Sequence, residues 1–431
     1  VLIWLSIALA GSYEEGIAAL KAGKPDLAME QLSAATVEDP SNTDAWWELG
    51  WAHWSLEDWA GAAASWEKVE GLDPKRDELQ HWLGSARTRV ALSGASTTNP
   101  PIPMEPMKGR LRIVAAGDTM MGSDLRKGAA GLAPGDGESI FTDTRAIQSA
   151  ADVAFLNLEG PLADGLPSTK CGPGSTSCYA FRTPTRYAKA LVSAGVDVVS
   201  LANNHAFDLG AAGQQASMDA LDAAGIAHAG RYGDVAMLER NGLKVAVLAA
   251  HSGSCCLNIN ELDEIGAAIR LADTEADLVV LSFHGGAEGY KARHVPGRTE
   301  IAWGEKRGDV KALAHAAIDA GADLVIGHGP HVLRGMEVYQ GRLIAYSMGN
   351  FVGFRQFGTR GGFGGTSALL DVELAGNGVL LSARIHPLAL DDEGTPHPDP
   401  KGAAFEQIRE LTVADFPETG VKIDAEGGLS W

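Results

Sequence analysis

From residue 110 onward, six apolar runs recur: RLRIVAAG (110–117), DVAFLNL (152–158), VDVVSLA (196–202), KVAVLAA (244–250), DLVVLSF (277–283) and DLVIG (323–327). They are rich in β-branched and aliphatic residues and alternate poorly, which suits strands buried on both faces. Helical patterns lie between them, near 184–195, 211–225, 260–272 and 308–320. Repeated strand–helix–strand units restrict this region to an α/β fold with mostly parallel sheet. Two later stretches, MEVYQGRLIAYSMG and SALLDVELAGNGVLLSARIHPLAL, read as hairpins turning at QG and GNG, so an antiparallel portion follows.

Chemistry, rather than simple turn residues, follows the runs. Asp118 comes after the first, Glu159 after the second, Asn204 and His205 after the third, His284 after the fifth, and His328 and His331 after the sixth. In open α/β sheets ligands bind at the carboxyl ends of the strands. Two carboxylates, an asparagine and several histidines there form a mixed oxygen and nitrogen set, suited to one or two divalent ions such as zinc, manganese or iron. Each residue alone has an ordinary explanation: Asp118 or Asn204 as a helix cap, His284 as a core histidine. The conjunction, with glycine neighbours leaving room for close approach, favours a metal site. Within SLANNHAFDLG (200–210), Asn203 is expected only to shape the turn.

The blocks GDTMMG, NLEGPL, LANNHAFDLG, FHGGAE, GADLVIGHGPHVLRGMEVY and LIAYSMGNFV, in this order from about 111 to 389, resemble the CapA family of poly-γ-glutamate capsule synthesis proteins. That family is a branch of the metallophosphatase (calcineurin-like phosphoesterase) superfamily. The resemblance implies a metallophosphatase-like α/β sandwich, with mixed sheets flanked by helices. It implies a metal-dependent hydrolase of phosphoester or related type. Carried onto this sequence, it makes Asp118 a ligand of a first metal and Glu159 the bridge to a second. Asn204, His284 and His328 or His331 complete the set. His205 becomes the general acid, oriented by Asp208. Two such ions acidify a water and clamp transition-state oxygens, and a histidine beside them can donate the leaving proton. Departures keep a mononuclear centre, or a metal-binding site without turnover, open as well. Met120 stands where the superfamily usually has histidine, Gly329 where close relatives often have another, and Gly285 where tryptophan is usual.

The N-terminal region reads differently. Asp39-Pro40 and Asp73-Pro74 recur at a 34-residue offset shared by Gly16 and Gly50 and by Ala28 and Ala62. A 34-residue period of paired helices resembles tetratricopeptide repeats. We assign residues 11–92 to this all-α domain, with 75–92 as a capping helix; it serves as a protein-docking module or as a spacer. Residues 93–109, SGASTTNPPIPMEPMKG, form a Pro/Ser/Thr-rich linker, 110–390 the α/β domain, and 391–431 a C-terminal extension.

Formal charge is −20, which disfavours nucleic acid and anionic membranes as partners. Residues 1–10, VLIWLSIALA, read as the remnant of a secretory signal or as an amphipathic helix. Cys171 and Cys178 flank a Gly/Ser/Pro loop and, in an exported protein, read as a disulfide, whereas adjacent Cys255 and Cys256 read as buried or free. These features place the chain outside the cytoplasm: periplasmic, cell-surface or secreted. The stretch 290–307 carries five basic residues against two acidic ones. Lys291, Arg293 and Arg298 are its candidates for gripping an anionic polymer or phosphoester, since an acidic protein needs local cations to do so. FRQFGTRGGFGG (354–365) reads as a mobile loop. A non-catalytic assembly factor, binding polymer or metal and docked through its repeats, is the alternative to an enzyme.

Overall fold

A computed structural model describes residues 11–127, 131–168, 170, 171, 178–355 and 363–431. The expected signal remnant at 1–10, the interior of the Cys171–Cys178 loop and most of the 354–365 loop lie outside the described residues. The chain divides into two compact units, Val1–Gly94 and Ala95–Trp431.

The first unit contains helices Ser12–Lys21, Pro25–Glu38, Thr43–Ser55, Trp59–Leu72 and Leu79–Ser93. Asn42 and Asp58 start two of them by accepting the Ala45 and Gly61 N–H groups. The 34-residue offset has a steric basis. A Cβ on Gly16 would sit 2.5 Å from Leu32 Cγ, and a Cβ on Gly50 would sit 2.1 Å from Trp66 Nε1. Leu32 and Trp66 are both fully buried, so each repeat closes a helix pair by seating one large side chain on one glycine. The Trp66 indole donates to the Trp47 carbonyl at 3.1 Å.

The second unit is a sandwich of two sheets with helices outside. The first sheet runs Pro396–Pro398, Leu380–Leu390, Thr366–Ala375, Arg110–Met120, Val153–Leu158, Val198–Ser200, Ala227–Ala229, and Asn350–Gly353 pairs with the carboxyl end of Arg110–Met120. The second runs Met336–Tyr339, Arg342–Ala345, Leu324–His328, Leu278–His284, Leu243–His251, Val235–Arg240. Alternation along each strand divides the core. Leu111, Ile113 and Ala115 face the inter-sheet core with Val245, Val247, Val280 and Ile326. Val114 and Ala116 face outward with Leu191 and Leu221, from helices Ala188–Ala194 and Gly210–Ala224. Helices Leu262–Asp273 and Val310–Asp319 pack on the second sheet.

All six predicted runs are strands, and both hairpins form, the first turning at Gln340-Gly341 with φ of 48° and 75°. Three differences stand out. Several strands extend through the polar residue expected just beyond them, because neighbouring strands pair with it, on both sides for Asp118 and His284 and on one side for His328. Val235–Arg240 is an edge strand the sequence reading passed over, with Val235 and Met237 exposed on its solvent face. Residues 391–431, expected as an extension, are built into the unit: Pro396–Pro398 is a sheet strand, and Ala404 and Ile408 of helix Ala403–Asp415 join the inter-sheet core. The Pro-rich segment is also pinned, since the buried Arg342 donates to the carbonyls of Pro103 and Asn377.

Candidate metal centre

Strand register sets the site out in two rows. In the first sheet, parallel pairing places Asn350, Asp118 and Asn157 side by side. In the second it aligns His251, His284 and His328. Asn350 opens its own strand, the other five stand at or near carboxyl strand ends, and side chains from the two sheets meet there.

Asp118 is fully buried and central. Its Oδ1 accepts from Asn157 Nδ2 at 2.8 Å and lies 3.7 and 3.6 Å from the Nδ1 atoms of His284 and His328. Its Oδ2 lies 3.1 Å from His331 Nδ1. Glu159 Oε1 stands 3.6 Å from His331 Nε2 and 3.9 Å from the Nε2 atoms of both His284 and His205. Asp118, Glu159 and His331 each offer a ligand atom within 4.8 Å of the others. The sequence-predicted ligands Asp118, Glu159, His284, His328 and His331 are thus brought together, with both histidines of GHGPH at the cluster. His331 holds its place at φ 58°, a left-handed conformation uncommon for a residue with a Cβ.

The chemistry of these atoms tests whether a metal fits. Glu159 Oε1 and Oε2, Asn204 Oδ1, His284 Nε2 and both ring nitrogens of His328 are buried with no hydrogen-bond partner. Buried polar atoms are rarely left so. Here they belong to four of the predicted ligands. Burial holds His284 well below its ordinary pKa and lowers His328 to about 4, so both are neutral imidazoles, the form that binds metal. Burial, reinforced by the Asp118 charge, raises Glu159 to about 8. Burial opposes charge on His331 too, but Glu159 and Asp118 outweigh it and lift it to about 10. The residues therefore fit a divalent cation, which supplies the positive charge the two carboxylates need.

Beside the ligands lies the predicted proton-handling pair. His205 Nδ1 meets Asp208 Oδ2 at 2.7 Å, and Asp208 also accepts from the Phe181 N–H at 2.7 Å and from Lys170 Nζ at 2.5 Å. Asn203, expected only to shape the turn, does more. It donates to the Leu158 carbonyl and Asn157 Oδ1, and accepts from the His205 N–H at 3.1 Å, tying the end of the second strand to His205.

A cavity of about 570 Å³ opens over His205 and His331, with Lys170, Glu288, Trp303 and Arg307 among its lining residues. Lys291, Arg293 and Arg298, expected to grip an anion, are not among the residues lining it. Lys291 and Arg298 are exposed; Arg293 lies over the Tyr290 ring and 3.7 Å from Glu410. From the basic stretch, Arg307 reaches the cavity instead.

Sequence reasoning also missed His251, although it follows the fourth apolar run directly, and Asn157, one residue before the end of the second strand. His251 offers ligand atoms near the free, buried Cys255 and Cys256. Its nitrogens, however, face the Gly253 N–H at 2.8 Å and Arg307 at 3.4 Å. Met120 Sδ faces the Gly122 N–H at 3.2 Å. Gly329 fits its place sterically, since a Cβ there would lie 3.0 Å from the Gly285 backbone. Cys171 and Cys178 are disulfide-bonded.

The chain is similar to known proteins. The family described as bacterial capsule synthesis protein PGA_cap matches residues 112–354, more than half of the chain. The chain belongs to the PGA_cap family. This PGA_cap member is 35% identical to the capsule biosynthesis protein CapA of Bacillus anthracis over 49% of its length and 51% of that protein's. It is 30% identical to the PGA biosynthesis protein CapA of Bacillus subtilis strain 168, over 69% of its length and 76% of that protein's. A probable polyglutamine synthesis accessory protein of Mycobacterium tuberculosis is 30% identical over 47% of this chain and 56% of that protein. The chain therefore spans about half the length of the first of these relatives. A tetratricopeptide-repeat family matches residues 13–77 ahead of the PGA_cap region.

Proposed function

We propose that the second unit is a metal-dependent hydrolase of phosphoester type, acting outside the cytoplasm in the making or handling of a capsule polymer. One observation carries this reading: Glu159, His284 and His328, clustered with Asp118 beside the His205–Asp208 pair, hold together with Asn204 six buried polar atoms that have no hydrogen-bond partner. Asp118, Glu159, Asn204, His284, His328 and His331 would hold one or two divalent ions of the zinc, manganese or iron kind. Bound there, such an ion supplies Lewis acidity toward a phosphoryl group and acidifies water.

The chain's own residues handle the proton. Asp208 accepts from His205 Nδ1, which leaves Nε2 as the nitrogen that exchanges protons on the ligand side. Burial lowers the His205 pKa, against the pull of Asp208, so a proton held at Nε2 is readily given to a leaving alkoxide. Lys170 and the Phe181 N–H hold Asp208 in place. The names of the relatives support the polymer setting, and the disulfide supports the compartment. The first unit supplies a docking surface for a protein partner, the common use of stacked repeats.

A non-catalytic, metal- or polymer-binding factor is the second reading, favoured by Met120 in the position of a superfamily ligand. Elemental analysis together with turnover of a small aryl phosphodiester in manganese separates the two. Stoichiometric metal with turnover supports the hydrolase, metal without turnover supports the second reading, and a chain that binds no metal removes the hydrolase and leaves only the polymer-binding form of the second.

A further inference from the structure

We propose that the cavity above the metal centre seats an uncharged sugar ring on Trp303, so that the phosphoester reaching the metal is one carried by a saccharide rather than a stretch of polyanion. Trp303 and Gly304 form the turn between the short strands Ile301–Ala302 and Glu305–Lys306, with φ of 54° and 85°. A two-residue turn with both φ positive ordinarily takes Asn-Gly, and a bulky ring there is strained. Despite that strain the residue is 78% exposed rather than buried in a core. Its Nε1–H donates to Glu288 Oε2 at 2.9 Å, which orients it beside the cavity. Tyr179 and Tyr290, each about half exposed, and buried Phe181 add aromatic wall.

Charge decides the class of ligand. The lysine and the arginine among the described lining residues are both already matched: Lys170 with Asp208 at 2.5 Å, and Arg307 with Glu288 at 2.9 Å and Glu305 at 3.1 Å. A γ-glutamyl chain brings a carboxylate with every residue and would meet Glu288 and Glu305, while among the described lining residues Lys170 and Arg307 are each already matched to a carboxylate. A sugar suits both features of the wall. Its C–H face stacks on the electron-rich face of an aromatic ring, and its hydroxyls donate to carboxylates. The phosphoester end of this proposal rests on the hydrolase reading; the sugar seat does not.

The test is calorimetric titration of the full chain with an N-acetylglucosamine oligosaccharide, maltotriose and tri-γ-glutamate, alongside hydrolysis of a sugar-free aryl phosphodiester. Binding of a neutral sugar, weakened about tenfold or more by Trp303→Ala and largely retained in Trp303→Tyr, supports the seat. Three results overturn it: no sugar binding at millimolar concentration, sugar binding indifferent to Trp303→Ala, or tri-γ-glutamate binding in preference to the sugars. Hydrolysis of the sugar-free ester without sugar binding leaves the hydrolase standing and removes the seat. Sugar binding without any hydrolysis does the reverse.

Discussion

Asp118 Oδ2 and His331 Nδ1 stand 3.1 Å apart, one at the end of the first strand of one sheet and the other in the loop after a strand of the other sheet. An ion held by both residues would tie the two sheets together. Metal binding is therefore expected to stabilise the fold, by about 2.7 kcal/mol at a hundredfold excess over Kd. Asp118→Asn and Glu159→Gln should each abolish that gain. Thermal melts with and without metal, paired with elemental analysis, check this.

Without metal, stability should fall as pH rises from about 6.5 to 10. Glu159, raised to about 8, and His331, raised to about 10, keep their protons in the folded state at pH values where the unfolded chain has lost them. The folded state then binds more protons, so raising the pH favours unfolding. His284 and His328, lowered by burial, act with the opposite sign only below about 6.5. Metal displaces the two protons, so its affinity should rise over the same window. Melts in chelator against pH, and proton release on metal titration, measure both effects.

His205→Asn should cost about 10²- to 10⁴-fold in turnover of a phosphodiester while leaving metal content intact. Asp208→Asn should act in the same direction by loosening the 2.7 Å contact that sets the His205 tautomer. Metal loss in His205→Asn would make His205 a ligand instead of the acid.

Gly329→His should not restore a ligand. The position has φ 106°, and a Cβ there would lie 3.0 Å from Gly285 N and O and 3.1 Å from His284 Cδ2. Displacing His284 should destabilise the unit by about 1–3 kcal/mol and weaken metal binding. Denaturant melts and metal titration of the variant check both.

Combining Lys291→Ala, Arg293→Ala and Arg298→Ala should change KM for a small phosphoester by less than about threefold, because none of the three lines the cavity. A larger loss would restore the surface they form as part of the substrate path. Steady-state kinetics decides.

Much of this protein is written locally. Strand identity follows from short apolar runs, the repeat from a 34-residue offset that places Gly16 on Leu32 and Gly50 on Trp66, and the ligand types from what stands at each run's end. Those signals survive in one dimension because each depends on neighbours along the chain. Register does not. That His251, His284 and His328 form one row, and Asn350, Asp118 and Asn157 another, depends on which strands pair. The same is true of Asn203, a turn residue by sequence but a bridge between Leu158 and His205 in space. Charge balance is equally non-local. Lys291, Arg293 and Arg298 looked like the grip on an anion, yet Arg307 is the one that reaches the cavity, and Glu288 and Glu305 already hold it. The sequence by itself determined which groups exist and at which strand ends they stand. Only the packing of two sheets decided which of them meet, which carry a proton, and which charges are left unmatched, because pairing and burial act between residues far apart in the chain.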